Sequence, residues 1–157
     1  MMGKVVLSVD GSEAGRAATE WCVENLAPGT TVIAVCGISD LAEVVLGLPG
    51  FDEPGEHGLE EALNTRWSEP LRRAGLYCIP RLVHHRPMAA LLEVVAEELP
   101  DAVIVGKGPH RAWAEAFVAD SPLPLVHRMP CPVVLVPART ATAPGSAAIV
   151  DTEDASL

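Results

Sequence analysis

Five short apolar runs, each ended by turn-forming residues and separated by stretches with helical spacing, constrain this chain more than anything else in it. They are KVVLSVD (4–10), TTVIAVCGI (30–38), LYCIPRLVHH (76–85), DAVIVGKG (101–108) and CPVVLVPA (131–138). Their apolar character is near-continuous and rich in β-branched residues, as in strands buried on both faces of a parallel sheet. Between the first two runs, Ala14, Ala17, Ala18, Trp21, Cys22 and Leu26 form an apolar stripe, so a helix is expected over about 13–27. Ser12 or Asp10 can cap it, Glu13 favours its positive end, and Pro28-Gly29 stops it. A second helix is expected over 59–74, with Leu63, Trp67 and Leu71 facing inward and a kink or break at Pro70. The third, over 86–100, puts Met88, Leu91, Leu92, Val95, Ala96 and Leu99 on one face. Strand and helix in alternation predict an α/β fold: a single doubly wound domain, its parallel sheet covered by helices on both faces.

A chain of 157 residues, 49% hydrophobic and 20% charged, can bury a full core. Eleven basic against 21 acidic residues leave a net charge of −10. That balance, with no basic stripe, argues against nucleic acid and against an anionic membrane surface as partners. No run reaches the length of a membrane span, and the run after Lys4 is too short for a signal peptide. The cysteines Cys22, Cys36, Cys78 and Cys131 are scattered through apolar runs without a CxxC pair, and read as small buried residues. Reduced thiols and a cytoplasmic location are the expectation. Residues 39–58 form a long irregular connection, and the small, polar, acidic stretch 139–157 is expected to be a disordered tail to a domain spanning 3–138.

In doubly wound sheets ligands bind beyond the carboxyl ends of the strands, where the strand order reverses. The Asp10-Gly11-Ser12 turn and the Gly106-Lys107-Gly108 turn are the natural flanks of that crevice. The second begins as a phosphate-binding loop does, with a strand running into glycines that can aim backbone N–H groups at an anion. Pro109 then removes a donor, and Asp120 brings negative charge. Lys107, His110 and Arg111 supply side-chain cations in partial compensation.

VVLSVDGSEAGRAATEW resembles the first strand and helix of the universal stress protein family, with its Asp-Gly-Ser turn. PMAALLEVVAEELPDAVIVGKG is similar to that family's third helix and fourth strand, and VHRMPCPVVLVPA to its closing helix and fifth strand. The resemblance implies a five-stranded parallel sheet in order 3-2-1-4-5, usually in a dimer. It also implies an adenine-nucleotide pocket at Asp10 and Val35, with Val9 and Val105 beside them and Gly106, Lys107, Gly108 and Arg111 toward the phosphates. Members that bind ATP carry a glycine, two residues, a second glycine, nine residues, then glycine and serine or threonine. Laid on Gly106, that pattern meets Pro109, Ala119 and Asp120; laid on Gly108, it meets Arg111 at the second glycine. The expected function is therefore a non-catalytic regulatory or protective module of the stress response, with no cofactor held in the usual way. The alternative keeps ATP or AMP through a rebuilt loop.

Other chemistry is poorly supplied. His84-His85 are adjacent in a strand and point to opposite faces, so one metal ion cannot easily take both. His57 lies in an acidic loop and His127-Arg128 at a helix C-terminus, where positive charge is favoured. Ser8, Ser12 and Ser121 lack a G-x-S-x-G elbow, and Glu60-Glu61 and Glu97-Glu98 read as solvated helix faces, so at most a slow nucleotide hydrolysis is conceivable. Trp21, Trp67 and Trp113 read as packing residues, Trp113 being the one placed to cover a ligand or partner. In the order 3-2-1-4-5 the fifth strand is an edge, and CPVVLV is apolar and uncharged. A homodimer joined through Cys131 to Pro137 is the expected partner arrangement, alongside an unidentified protein partner.

Overall fold

A computed structural model of the chain describes residues 2–38, 56–107 and 123–138. Its strands are β1 (Lys4–Ser8), β2 (Thr31–Gly37), β3 (Tyr77–Val83), β4 (Ala102–Lys107) and β5 (Val133–Pro137). They form one parallel sheet in order β3-β2-β1-β4-β5, with Val6 opposite both Ile33 and Val103 at its centre. The expected doubly wound α/β architecture and strand order are those observed. The expected stretch 39–58 overlaps a helix at its end, its residues 39–55 lie outside the described residues, and so does the expected tail.

The sheet separates two apolar layers. Val5, Leu7, Val9, Ala34, Cys36 and Ile104 point toward α1 (Glu13–Asn25), α2 (Glu56–Asn64) and α3 (Glu69–Arg73). Val6, Ile33, Val35, Val103 and Val105 point toward α4 (Pro87–Glu98) and toward Met129, which follows α5 (Leu123–Arg128). Both faces of the central strands are thus dry, which is why their sequences do not alternate. Among the described residues, the N-terminal end of the sheet is tied by Asp101, whose Oδ2 accepts N–H bonds from Gly3 (2.8 Å) and Lys4 (3.0 Å).

The single helix expected over 59–74 is two. α2 begins earlier than expected and ends at Asn64, and Pro70 sits in the first turn of α3, where its missing N–H has no helical partner to lose. Thr65–Ser68 form the break, with the buried Ser68 hydroxyl donating to the Leu63 carbonyl. The face expected of α4 is also corrected. Its buried residues are Ala90, Leu91, Val94 and Val95, while Ala96 is exposed and Leu99 is 77% exposed. The run AALLEVVA is apolar enough to offer several overlapping stripes, and contact with β1 and β2 selects one of them. Leu99 lies past the helix at φ 48°, in a left-handed cap that turns its side chain outward.

The described cysteines are free, but they are not all buried as expected: Cys22 and Cys36 are, Cys78 and Cys131 only partly. Burial first, then the neighbouring Cys78 thiol, pushes Cys22 up to about 12; burial, then the Asp10 carboxylate, does the same to Cys36. Because the thiolate is the reactive form, a disulfide reagent at pH 8 is expected to label Cys78 and Cys131 in the native protein. Cys22 and Cys36 should appear only on adding denaturant. Mass spectrometry of the labelled peptides reads this, and four equally fast thiols would contradict the packing.

Candidate functional site

The strand order reverses between β1 and β4, and the carboxyl ends of these two strands are where a doubly wound sheet places its ligand crevice. One wall is the Asp10-Gly11-Ser12 turn. Ser12 is the N-cap of α1, at φ −75° and ψ 167°, its Oγ accepting from the Gly15 N–H at 3.1 Å. Asp10 does not cap the helix itself. Its Oδ1 accepts the Ser12 N–H at 2.9 Å and the Ser12 hydroxyl, orienting that hydroxyl so that its lone pair faces the helix. Glu13 adds negative charge in the first turn. The carboxylate that aligns the cap is exposed at the crevice mouth.

The residues expected around the base and ribose behave differently from one another. Val9, Val35 and Val105 are buried, the first in the α1 layer and the other two in the α4 layer. Their side chains fill core, so only their backbones face the crevice end, and there the Val9 N–H already donates to the Val35 carbonyl at 2.9 Å. Lys107 is exposed, and its carbonyl accepts the Ala138 N–H at 2.9 Å. Gly108 and Arg111 lie outside the described residues, as do Pro109, His110, Trp113, Ala119 and Asp120.

Gly106 has a packing role. A Cβ built there would stand 1.9 Å from the Ala14 carbonyl oxygen and 2.3 Å from its carbon. The first turn of α1 therefore rests directly on the backbone of β4, an approach open to glycine alone. On the other side of the same turn, a Cβ on Gly11 (φ +80°) would stand 2.5 Å from Cζ2 of Trp67. The indole from the α2–α3 break thus lies against the Asp10-Gly11-Ser12 turn. Sequence reasoning placed Trp67 only on an inward stripe, and no local signal joins residue 67 to residue 11.

Elsewhere, His85 Nε2 lies 3.0 Å from Glu93 Oε2, in the turn after β3. Among the described residues no three His, Cys, Asp or Glu side chains gather as a metal site. No described helix is long and apolar enough to cross a membrane.

Comparison with known proteins places this arrangement. The profile of the Universal stress protein family matches residues 1–137. A Thermus aquaticus protein, the universal stress protein of the QAH/OAS sulfhydrylase 3′ region, is 30% identical over 141 residues, covering 87% of this chain and 99% of its own. Among solved structures, a universal stress protein in complex with cAMP superposes with a TM-score of 0.62 at 20% identity, over 88% of this chain and 99% of that one. An Arabidopsis thaliana universal stress protein family protein with AMP bound gives 0.60 at 14%, over 91% and 97%. Sheet order, the capped turn at the switch point and the match over nearly the whole described chain agree: the chain belongs to the universal stress protein family.

Proposed function

We propose that this chain is a non-catalytic regulatory or protective module of the cytoplasmic stress response whose crevice does not hold a triphosphate in the manner of ATP-binding relatives. The observation that carries this is the packing of Gly106. It alone matches the glycine pattern laid from its position, and the Ala14 carbonyl accounts for it without any phosphate. Beyond it, Pro109 offers no N–H, Ala119 stands where a glycine is wanted, and Asp120 replaces a hydroxyl with a carboxylate. A full charge beside a phosphate costs on the order of 1 kcal/mol at 4 Å even in water.

A second reading has its own support. Asp10 is exposed at the crevice mouth, Lys107 is exposed opposite, and structural relatives were solved with AMP and with cAMP. In this reading Asp10 and the Val35 backbone meet an adenine nucleoside, while Lys107 and Arg111 replace the lost backbone donors. A monophosphate asks less of the loop than a triphosphate does.

Calorimetric titration with ATP and with AMP, both with Mg²⁺, separates the two. The leading reading expects no ATP heat at ligand concentrations near 100 μM, on the order of the weaker affinities at which small-molecule sites work. Micromolar ATP binding abolished by Asp10→Asn would overturn it. Asparagine is the right variant because it keeps the Oδ1 acceptor for Ser12 and removes only the charge. AMP binding without ATP binding selects the second reading.

The reading includes a homodimer through β5, supported by a comparison of the sheet's edges. On β3 the Tyr77 N–H donates inward to Thr30, so Cys78, Pro80 and Leu82 face outward and Pro80 interrupts that edge at its middle. On β5 the Ala138 N–H points inward, so Val133 and Leu135 present outward donors and Pro137 falls only at the end. Sedimentation is expected to give a dimer mass at micromolar concentration and a monomer for Leu135→Pro, with the helical circular dichroism kept. A wild-type monomer would remove the dimer from the proposal.

A further inference from the structure

We infer that Trp67 is a positioning residue for the crevice: its indole clamps the Asp10-Gly11-Ser12 turn, so that the α2–α3 break sets how Asp10 is presented. Gly11, at φ +80°, is the most permissive point of the turn, and the carboxylate before it is exposed. Two cap bonds, from the Ser12 and Gly15 N–H groups, depend on that turn keeping its shape. The edge of the indole closes over it: Cζ2, Cε2 and Cη2 would lie 2.5, 3.1 and 3.2 Å from a Cβ on Gly11.

The clamp itself is held rigidly. The Trp67 backbone N–H donates to the Ala62 carbonyl at 3.0 Å, the Glu69 backbone N–H to the Thr65 carbonyl at 2.9 Å, and the Thr65 hydroxyl to the Glu61 carbonyl at 2.7 Å. Leu63 and Leu71 anchor the break from either side, at 1% and 0% exposure. These bonds fix the backbone from which the indole projects, and a large ring on two rotatable side-chain bonds has little conformational entropy to lose. Removing it frees the glycine of the turn while leaving every hydrogen-bonding group of the cap in place. The consequence for a ligand rests on the adenine-nucleotide reading; the clamp does not.

Amide hydrogen exchange by NMR on the full chain tests the clamp. In Trp67→Ala the Ser12 and Gly15 amides are expected to exchange about tenfold faster or more, with Trp67→Phe recovering most of the protection. The Gly3 and Lys4 amides, held by Asp101 at the far end of the sheet, should stay as in the wild type. Unchanged Ser12 and Gly15 amides in Trp67→Ala would overturn the inference. So would equal acceleration of all four amides, which marks a purely structural loss.

AMP titration with Mg²⁺ supplies the second arm. If the wild type binds AMP, Trp67→Ala is expected to weaken it about tenfold and Trp67→Phe to restore it, whereas equal binding by all three removes the positioning role. In a Trp21→Phe/Trp113→Phe background the remaining indole should change its emission on AMP addition. If the wild type does not bind AMP, the nucleotide reading falls and the exchange arm alone decides the clamp.

Discussion

Gly106→Ala is expected to melt roughly 10 °C below the wild type. The new Cβ would stand 1.9 Å from the Ala14 carbonyl oxygen and within 3.0 Å of the Ala14 Cα. Both are backbone atoms of the capped first turn of α1, so no rotamer change relieves the overlap. α1 would have to lift from β4, taking Ala17 and Ala18 with it. Overpacking a core costs about 1–3 kcal/mol where side chains can yield. With fixed backbone the upper end, about 3 kcal/mol, is the expectation, and each kcal/mol is worth about 2–4 °C in a domain of this size. Calorimetry without nucleotide measures it. A normal melting temperature would show that α1 does not rest on Gly106, and the packing account of that glycine would fail with it.

Gly11→Ala is expected to cost about 3 kcal/mol, from two separable causes. A non-glycine residue at φ +80° carries about 1–2 kcal/mol of backbone strain. The rest comes from the indole, whose Cζ2 would lie 2.5 Å from the new methyl and which the α2–α3 break holds in place. Urea unfolding of Gly11→Ala, Trp67→Ala and the double variant separates them. The double variant should be more stable than the sum of the single losses predicts, because removing the ring abolishes the clash while the strain stays. Strict additivity would mean that ring and turn do not touch.

Much of the fold is legible without coordinates, for identifiable reasons. A strand buried on both faces needs apolar residues along its buried length, so β1, β2 and β4 announce themselves as the uninterrupted apolar runs VVL, VIAVC and AVIV. The cap of α1 is equally local: Asp10, Ser12 and Gly15 interact within a few residues of one another. Pro70 signals a disruption, and its position fixes the start of α3, because proline is tolerated in a first turn and excluded from an interior. The family pattern, too, is a property of the order of residues.

The faces and the close approaches are a different matter. α4 carries apolar residues around most of its girth, so its sequence is compatible with several inward stripes. Packing on β1 and β2 chooses Ala90, Leu91, Val94 and Val95. Val35 and Val105 match pocket positions of the family pattern, and only the fold shows that their side chains lie in the α4 layer. Gly106 reads as a phosphate-loop glycine, and only the fold shows that Ala14, 92 positions earlier in the chain, packs against it. Composition and periodicity by themselves determined a doubly wound parallel sheet with a capped turn at its switch point, since those depend on burial averaged along a strand and on bonds between near neighbours. Only the tertiary structure decided that α1 rests on Gly106 and that Trp67 lies against Gly11, because backbone approaches between distant segments leave no periodic trace in the residues that make them.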